Sequence, residues 1–315
     1  MSTAIVTHKD CILHDTGIHH PESQERLLSV FKTLKNFKSK KIQWIDGPNI
    51  NLKHINLVHS EHHIKNIINN VPTKGFFNID ADTVLSPNSI KSAFKAMGSV
   101  CKAVDLVCTQ KFNNAFCPVR PPGHHAEPNR AMGFCLFNNV AIGAYYAKLK
   151  YKLKKCAVID FDVHHGNGTQ HFFEERSDIY FVSMHQDPRT CYPGTGFADE
   201  RGNGAGSGYT LNVPVPPGME DEKYLQTFYA NVQPKLLEYN PDFVLISAGF
   251  DAHRDDPLAS LNLTERTFRE LTMELKQLAE KSAGGRIMSL LEGGYDLNAL
   301  ASSVEEHLTI LQTED

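Results

Sequence analysis

A chain of 315 residues, of which 41% are hydrophobic and 22% charged, has the composition of a globular protein and enough length to bury a large core. The formal net charge of −4 argues against a basic surface and therefore against direct binding of nucleic acid. The sequence has no apolar run of about 18 residues and no secretory signal pattern at its start, so we expect a cytoplasmic protein without membrane contact.

Apolar runs rich in β-branched residues alternate with helical patterns along the chain. In chain order we predict helices over 24–36 and 89–109, a strand over 115–119, a helix over 138–149, strands over 157–161, 179–183 and 210–213, a helix over 223–239, a strand over 243–248, a helix over 265–280, a strand over 287–291 and a helix over 297–312. Such strands, separated by helices, are typical of a parallel sheet covered on both faces. Because no repeat or linker interrupts the pattern, we expect one α/β domain spanning residues 1–315.

The seven cysteines are scattered, and none belongs to a C-x-x-C pair. This spacing argues against a disulfide framework and against a structural zinc site built from cysteines. The sixteen histidines are numerous for this length, and several occur as doublets. Their number alone indicates no function, so any catalytic or metal-binding role must be inferred from their positions relative to the strands.

Side chains capable of acid–base or metal chemistry follow four of the predicted strands. They are His124 and His125 after the strand over 115–119, Asp160, Asp162, His164, His165 and Asn167 at the end of the strand over 157–161, Asp251 and His253 after the strand over 243–248, and Glu292 and Tyr295 after the strand over 287–291. In open parallel α/β sheets, ligands bind outside the carboxyl ends of the strands. We therefore expect these side chains to converge on one edge of the sheet.

Asp162 and His164 are two residues apart on an extended segment, which places both side chains on one side of the backbone. Asp251 could add a third ligand from another strand end. Two carboxylates and one imidazole match the three-ligand zinc sites of hydrolases, in which zinc polarises a carbonyl and activates water. His124 or His125 could then act as the base, and the Tyr295 hydroxyl could stabilise an oxyanion.

Each of these features also has an ordinary structural explanation. A strand-end aspartate more often caps a helix, a histidine doublet in a Pro-Gly loop more often lies at the surface, and Gly-Gly-Tyr is usually only a turn. These explanations do not account for why all the features fall at strand ends. The combined pattern favours a catalytic site.

Five motifs resemble those of the histone deacetylase superfamily. They are RPPGHHAE at 120–127, GFCLFNN at 133–139, IDFDVHHGNGTQ at 159–170, SAGFDAH at 247–253 and LEGGYDL at 291–297. Asn167 stands where class I members have Asp, so the chain looks more like the class II and acetylpolyamine amidohydrolase branch. The resemblance implies a single arginase/deacetylase-type α/β domain with a central eight-stranded parallel sheet and helices on both faces.

The resemblance also implies roles, position by position. Asp162, His164 and Asp251 match the ligands of one catalytic zinc ion, while His125 matches the general base and Tyr295 the tyrosine that stabilises the transition state. His124, paired with Asp160, matches the histidine that helps to orient water, and Asn167 matches the residue that orients His125. Because an amide carries no charge, Asn167 should leave His125 less basic than an aspartate would.

Further positions match a substrate tunnel and cation sites. Gly133, Phe134 and Tyr192 match the walls of an acyl-lysine tunnel, and Arg26 matches a residue of the cavity below the metal. The family also binds potassium at one or two structural sites. The matching residues are Asp160, Asp162, His164, Ser183 and Met184 for the inner site and the carbonyls of Phe173, Arg176, Ile179 and Tyr209 for the outer site.

Acetyl-lysine proteins or peptides and acetylated polyamines are the two main substrate classes of the family. Polyamine-selective relatives carry an acid at the position that matches Leu258, so the neutral residue here favours acetyl-lysine. The neighbouring acids Asp255 and Asp256 keep the polyamine alternative open, and Asp82 is a candidate for contacting the substrate backbone or its charge.

Two other function classes remain as alternatives. A binuclear manganese ureohydrolase of the arginase type would need extra D-x-D-x-D carboxylates, which the run His-His-Gly-Asn at 164–167 does not supply. A non-catalytic acyl-lysine reader would have no use for the complete set of Asp162, His164, Asp251 and Tyr295. The sequence leaves open the acyl-chain length, zinc versus ferrous iron, and assembly into a homo-oligomer.

Overall fold

Eight strands form one parallel sheet in the computed structural model, which describes residues 2–37, 39 and 41–313. They are β1 (Thr3–Thr7), β2 (Ile42–Asp46), β5 (Asn114–Cys117), β6 (Cys156–Asp160), β7 (Ile179–Gln186), β8 (Thr210–Val215), β9 (Phe243–Ala248) and β10 (Ile287–Leu291). Two short strands, β3 (Phe77–Asn78) and β4 (Val84–Leu85), pair separately and antiparallel. The predicted α/β domain with an eight-stranded parallel sheet is confirmed, while residues 1, 38, 40, 314 and 315 of its predicted span lie outside the described residues.

Helices connect the strands and cover the sheet. They are α1 (Gln24–Asn36), α2 (Leu52–Ile55), α3 (Glu61–Asn69), α4 (Ser89–Cys108), α5 (Asn139–Tyr151), α6 (Asn167–Phe173), α7 (Asp221–Thr227), α8 (Gln233–Tyr239), α9 (Glu265–Ser282) and α10 (Leu297–Leu311). Helix α4 packs on α5, and α10 packs on α1 and α9. Every residue of β6, β9 and β10 is buried. Because successive side chains of a strand point to opposite faces, both faces of the sheet are covered, as predicted.

Several predicted elements agree with the structure, and others differ for local reasons. The helix over 24–36 and the strands over 243–248 and 287–291 are confirmed. The single helix over 223–239 is wrong, because a π-helical turn at Phe228–Val232 separates α7 from α8, and Pro234 in the first turn of α8 has no backbone N–H to donate. The predicted strand over 115–119 ends at Cys117, directly before Pro118, which likewise cannot donate to a neighbouring strand.

None of the helices within the described ranges combines the length and apolar character needed to cross a bilayer.

Strands β1 and β2 were not predicted. Strand β2 lies at the edge of the sheet and is only partly buried, so its sequence lacks a continuous apolar run. Strand β1 is buried throughout and pairs with both β2 and β5.

The order of the strands decides where the polar strand ends meet. The sheet runs β2-β1-β5-β10-β9-β6-β7-β8, so β5, β10, β9 and β6 are consecutive neighbours. These are the four strands that the predicted site residues follow. Since all eight strands are parallel, the segments after these four leave the same edge of the sheet side by side.

Candidate metal and catalytic site

Asp162, His164 and Asp251 form a buried cluster at this edge of the sheet. Their potential ligand atoms all lie within 4.8 Å of one another. His164 Nδ1 is 3.0 Å from Asp162 Oδ1 and 3.2 Å from Asp251 Oδ2. The structure therefore brings together the three residues that the sequence proposed as metal ligands; their binding of a metal stays a prediction.

Backbone amides orient the two carboxylates of the cluster. The amide of His164 donates to Asp162 Oδ1 at 2.9 Å, and the amide of Gly293 donates to Asp162 Oδ2 at 2.8 Å. The amide of Val163 donates to Asp251 Oδ1 at 2.8 Å. A side chain at position 293 would crowd both carboxylates, because a Cβ there would lie 2.6 Å from Asp162 Oδ2. The Gly-Gly turn thus leaves room for two carboxylates to face one point.

The chemistry of this donor set fits a divalent cation. Both carboxylates are completely buried, and burial together with the nearby charge of Asp162 raises the pKa of Asp251 to about 7. Two buried carboxylates that face one point need a positive charge between them. Two carboxylate oxygens and one imidazole nitrogen are ligands that zinc accepts, with a position left for a further ligand.

Two histidines lie beside the cluster and have different environments. His124 Nδ1 is 2.9 Å from Asp160 Oδ2; burial opposes the charged imidazole, but Asp160 and Asp162 outweigh it and raise the pKa of His124 to about 10. His125 Nδ1 is 2.7 Å from Asn167 Oδ1, and burial with the neighbouring His124 lowers the pKa of His125 well below its usual value. The pair therefore combines a cationic imidazole with a neutral one, 3.9 Å apart between ring centroids.

Tyr295 follows β10 and is held by contacts on both sides. The guanidinium of Arg26 lies 4.9 Å from the centroid of the tyrosine ring and donates to the carbonyls of Glu292 and Gly294, at 2.5 Å each. The amide of Tyr295 donates to Asp256 Oδ2 at 2.7 Å. Burial raises the pKa of the phenol well above its usual value, so Tyr295 keeps its proton.

Aromatic side chains lie at the outer side of the histidine pair. The ring of Tyr192 is 5.1 Å from that of His125, and the ring of Phe134 is 5.9 Å from that of Tyr295. Gly133 lies against the His125 ring, since a Cβ at this position would be 2.7 Å from His125 Cγ. Tyr192 is 40% exposed and Leu258 39% exposed, so both are accessible to a substrate. Their role as tunnel walls stays a prediction.

The residues predicted to bind potassium lie on neighbouring elements. Asp160 of β6 is directly opposite Ser183 of β7, whose hydroxyl is 2.8 Å from His185 Nδ1. The carbonyl of Met184 accepts a hydrogen bond from Tyr224 at 3.2 Å. Of the outer set, Phe173 and Arg176 lie at and just after the end of α6, Ile179 begins β7 and Tyr209 precedes β8. Cation binding by either set stays a prediction.

Sequence reasoning assigned no role to several buried charges near the site. Glu22 accepts hydrogen bonds from Arg120 at 2.5 and 2.7 Å and from Arg26 at 2.9 Å. Burial opposes ionisation of Glu22, but the Arg120 guanidinium outweighs it and lowers the pKa of Glu22 to about 2. Arg120 is the first residue of the motif RPPGHHAE and directly follows an apolar run. This position was the sequence signal that Arg120 is buried near the site.

Glu292 supports the histidine pair from the neighbouring strand. Its carboxylate accepts hydrogen bonds from the amides of Gly123 at 2.6 Å and His124 at 3.2 Å. Burial raises the pKa of Glu292 to about 7. Because β5 and β10 are adjacent, Glu292 fixes the backbone from which His124 and His125 project.

Comparisons with known proteins identify related sequences and a related structure. A sequence profile of the histone deacetylase domain matches residues 20–311. The chain is 38% identical over 300 residues to a "Probable deacetylase" of Archaeoglobus fulgidus, covering 94% of this chain and 82% of that protein. It is 36% identical over 318 residues to histone deacetylase 9 of Homo sapiens, covering 91% of this chain but 31% of the human protein. A solved structure, that of the HDA15 HD domain, matches with a TM-score of 0.92 at 34% identity, over 98% of this chain and 89% of that chain.

Proposed function

The chain belongs to the histone deacetylase family, and we propose that it is a zinc-dependent amidohydrolase that removes acetyl groups from the Nε atom of lysine in proteins or peptides. Membership of this family supports deacetylase activity. The observation that carries the finer proposal is the buried cluster of Asp162, His164 and Asp251 beside two histidines, one hydrogen-bonded to a carboxylate and the other to an amide. We further propose that residues 1–315 form a single catalytic domain.

Asp162, His164 and Asp251 would hold the zinc ion. When bound, zinc would supply Lewis-acid polarisation of the acyl carbonyl and acidification of water. The fit rests on the donor set and on the amides that aim both carboxylates at one point. We also propose that potassium binds at one or both of the sites predicted from the sequence.

His125 would act as the general base and later as the acid that protonates the leaving amine. A base must be neutral at working pH, and burial keeps His125 in that form. Its Nδ1 faces Asn167 at 2.7 Å, which leaves Nε2 available to take and return a proton. This contact supports the orienting role proposed for Asn167.

His124 and Tyr295 would stabilise the negative charge that develops on the carbonyl oxygen. His124 is held in its cationic form by Asp160, and Tyr295 retains its phenolic proton. Preorganised donors of this kind lower the barrier because they need no reorientation during the reaction. Arg26, which packs on the Tyr295 ring, would keep that ring in place.

The surroundings of Leu258 support lysine rather than polyamine as the substrate. Both carboxylate oxygens of Asp256 already accept backbone hydrogen bonds, from Leu258 at 3.0 Å and from Tyr295 at 2.7 Å. Asp256 is therefore engaged in holding the loop and is poorly placed to receive a polyamine ammonium group. Asp255 is exposed, so its carboxylate is the one that supports the alternative function, an acetylpolyamine deacetylase.

The remaining alternatives have less support. Within the described residues, the cluster of Asp162, His164 and Asp251 is the one group of metal-ligand type, whereas an arginase-type ureohydrolase needs a second set of carboxylates. A non-catalytic acyl-lysine binder leaves the different partners of the two histidines, a carboxylate for His124 and an amide for His125, without a purpose. A cytoplasmic location and a homo-oligomeric assembly stay predictions.

The test compares deacetylation of an acetyl-lysine peptide and of N8-acetylspermidine by the same preparation, before and after chelator treatment and after zinc is restored. We expect turnover of the peptide, loss with chelator and recovery with zinc. Turnover mainly of the polyamine would replace lysine by polyamine in the proposal. Turnover of neither substrate by zinc-loaded protein would contradict both.

A further inference from the structure

A chain of hydrogen bonds connects His125 to the protein surface. His125 Nδ1 lies 2.7 Å from Asn167 Oδ1, and Asn167 Nδ2 donates to Glu127 Oε1 at 2.5 Å. The second carboxylate oxygen of Glu127 lies 2.7 Å from Nδ1 of His171, whose side chain is 59% exposed. Glu127 is thus the residue that contacts Asn167 from the side opposite to His125.

The chemistry of these groups allows one orientation of the Asn167 amide. An ionised carboxylate only accepts hydrogen bonds, so the NH₂ group of Asn167 must face Glu127. The carbonyl oxygen of Asn167 must then face His125. Because a carbonyl oxygen cannot donate, His125 Nδ1 must carry the ring proton, and Nε2 of the neutral imidazole is left with a free lone pair.

Without Glu127, little would hold the amide in this orientation. The other groups near Asn167 Nδ2 are Met132 Sδ at 3.5 Å and the carbonyl of His125 at 3.4 Å. A thioether sulfur is a weak acceptor, and a bond at 3.4 Å is long. A reversed amide would present NH₂ to His125 Nδ1, which would move the ring proton to Nε2 and block the base.

We propose that Glu127 is a positioning residue for the deacetylation reaction: its carboxylate fixes the Asn167 amide and through it the tautomer of His125. This inference rests on the proposed function, since it concerns the base of that reaction. The proposal requires a hydrogen-bond acceptor at position 127, because the side chain at position 167 must donate to it. Positions 127 and 167 thus form a matched acceptor and donor.

The matched pair can be broken and restored by exchanging the two roles. In Glu127→Lys, a donor faces the amide and turns it, so that its NH₂ faces His125. In Asn167→Asp, two carboxylates face each other. In the double variant, which combines Glu127→Lys with Asn167→Asp, the new ammonium group donates to the new carboxylate, and this carboxylate also accepts from His125. His125 Nδ1 therefore again faces a hydrogen-bond acceptor, as in the wild type. Glu127→Gln keeps an acceptor oxygen and should turn over substrate close to the wild-type rate.

The experiment measures kcat and KM for the wild type and these four variants, with Glu175→Lys as an exposed control for the same charge change. We expect Glu127→Lys and Asn167→Asp each to lower kcat about 10- to 100-fold with little change in KM. The double variant should have a kcat about tenfold higher than the product of the two single losses predicts, because residues in direct contact are energetically coupled. A fold loss of kcat in the double variant equal to the product of the two single fold losses would overturn the proposal, as would wild-type kcat in Glu127→Lys.

A second readout does not depend on activity. Nitrogen-15 NMR of the histidine rings in folded protein distinguishes a protonated Nδ1 from a protonated Nε2. For His125 we expect protonated Nδ1 in the wild type, in Glu127→Gln and in the double variant, and protonated Nε2 in Glu127→Lys. An unchanged tautomer in Glu127→Lys would contradict the role of Glu127 even if the wild type proves to have no deacetylase activity, whereas an inactive wild type with the expected tautomers would contradict only the proposed function.

Discussion

The guanidinium of Arg26 lies 4.9 Å from the centroid of the Tyr295 ring and donates hydrogen bonds to the loop that carries this tyrosine. Arg26 belongs to α1, near the start of the chain, whereas Tyr295 follows the last strand. Arg26 also forms an ion pair with Glu22 at 2.9 Å and donates to two carbonyls of the loop before Tyr295. The position of Tyr295 therefore depends on a buried cation about 270 residues away in sequence, a separation that local patterning does not report.

Replacing Arg26 by Met should destabilise the protein. The change removes one partner of a buried ion pair and leaves the carbonyls of Glu292 and Gly294 without their donor, so we expect a loss of about 3–5 kcal/mol in the free energy of unfolding. Urea denaturation monitored by circular dichroism measures it. Arg130→Met is the control, because the Arg130–Asp80 pair is exposed on the arginine side and should contribute less than about 1 kcal/mol. Equal losses in the two variants would contradict the structural role of Arg26.

Replacing Tyr295 by Phe should remove most of the activity and leave the fold intact. The ring still packs on Arg26, while the hydroxyl that donates to the developing oxyanion is lost, so we expect kcat to fall about 10²- to 10³-fold. Steady-state kinetics on an acetyl-lysine peptide measures the change, and thermal unfolding checks the fold. Tyr192→Phe keeps its ring and should retain near-wild-type kcat; the assignment is wrong if Tyr295→Phe does so too.

Replacing His125 by Ala should abolish proton transfer. Removal of a general base costs typically about 10²- to 10⁴-fold in rate, and we expect kcat to fall within that range. His62→Ala is the matched control, because His62 is exposed on α3. If His125→Ala and His62→Ala have the same turnover, His125 is not the base.

Replacing Asp251 by Asn should weaken zinc binding. The neutral amide provides a poorer ligand and no longer balances the charge of the metal, so zinc bound after dialysis should fall from about one equivalent to a small fraction of that. Mass spectrometry of the metal content measures this without an activity assay. Asp255→Asn, the same change at an exposed acid of the same loop, should keep its zinc. Full zinc content in Asp251→Asn would remove this residue from the set of ligands.

Replacing Leu258 by Glu should shift the preference toward acetylpolyamines. Leu258 is 39% exposed, so a carboxylate there would be partly screened by solvent, and we expect the ratio of kcat/KM for N8-acetylspermidine to that for an acetyl-lysine peptide to rise about fivefold. Leu258→Gln separates the effect of charge from that of polarity and should leave the ratio almost unchanged. An unchanged ratio in Leu258→Glu would place the selector elsewhere.

Much of the candidate site was accessible from the sequence. The apolar runs of β6, β9 and β10 end shortly before Asp162, Asp251 and Tyr295, so a parallel sheet predicts these residues at one edge. The Gly-Gly turn before Tyr295 and the extended spacing of Asp162 and His164 are local features, and local features are read from local sequence. For the same reason the confirmed elements are long or strongly apolar, whereas the partly buried edge strand β2 was missed.

Only the tertiary structure decided which strand ends are neighbours and what each buried charge contacts. Strand β10, the last in the chain, inserts between β5 and β9, and this places Glu292 under the His124 backbone and Gly293 against Asp162. Two further hydrogen bonds likewise join segments that are distant in sequence: Asn167 donates to Glu127, and the Tyr295 amide donates to Asp256. Hydrophobic periodicity specifies which face of an element is buried, but the pairing order of parallel strands depends on packing across the whole domain, and that packing selects the partners of these charges.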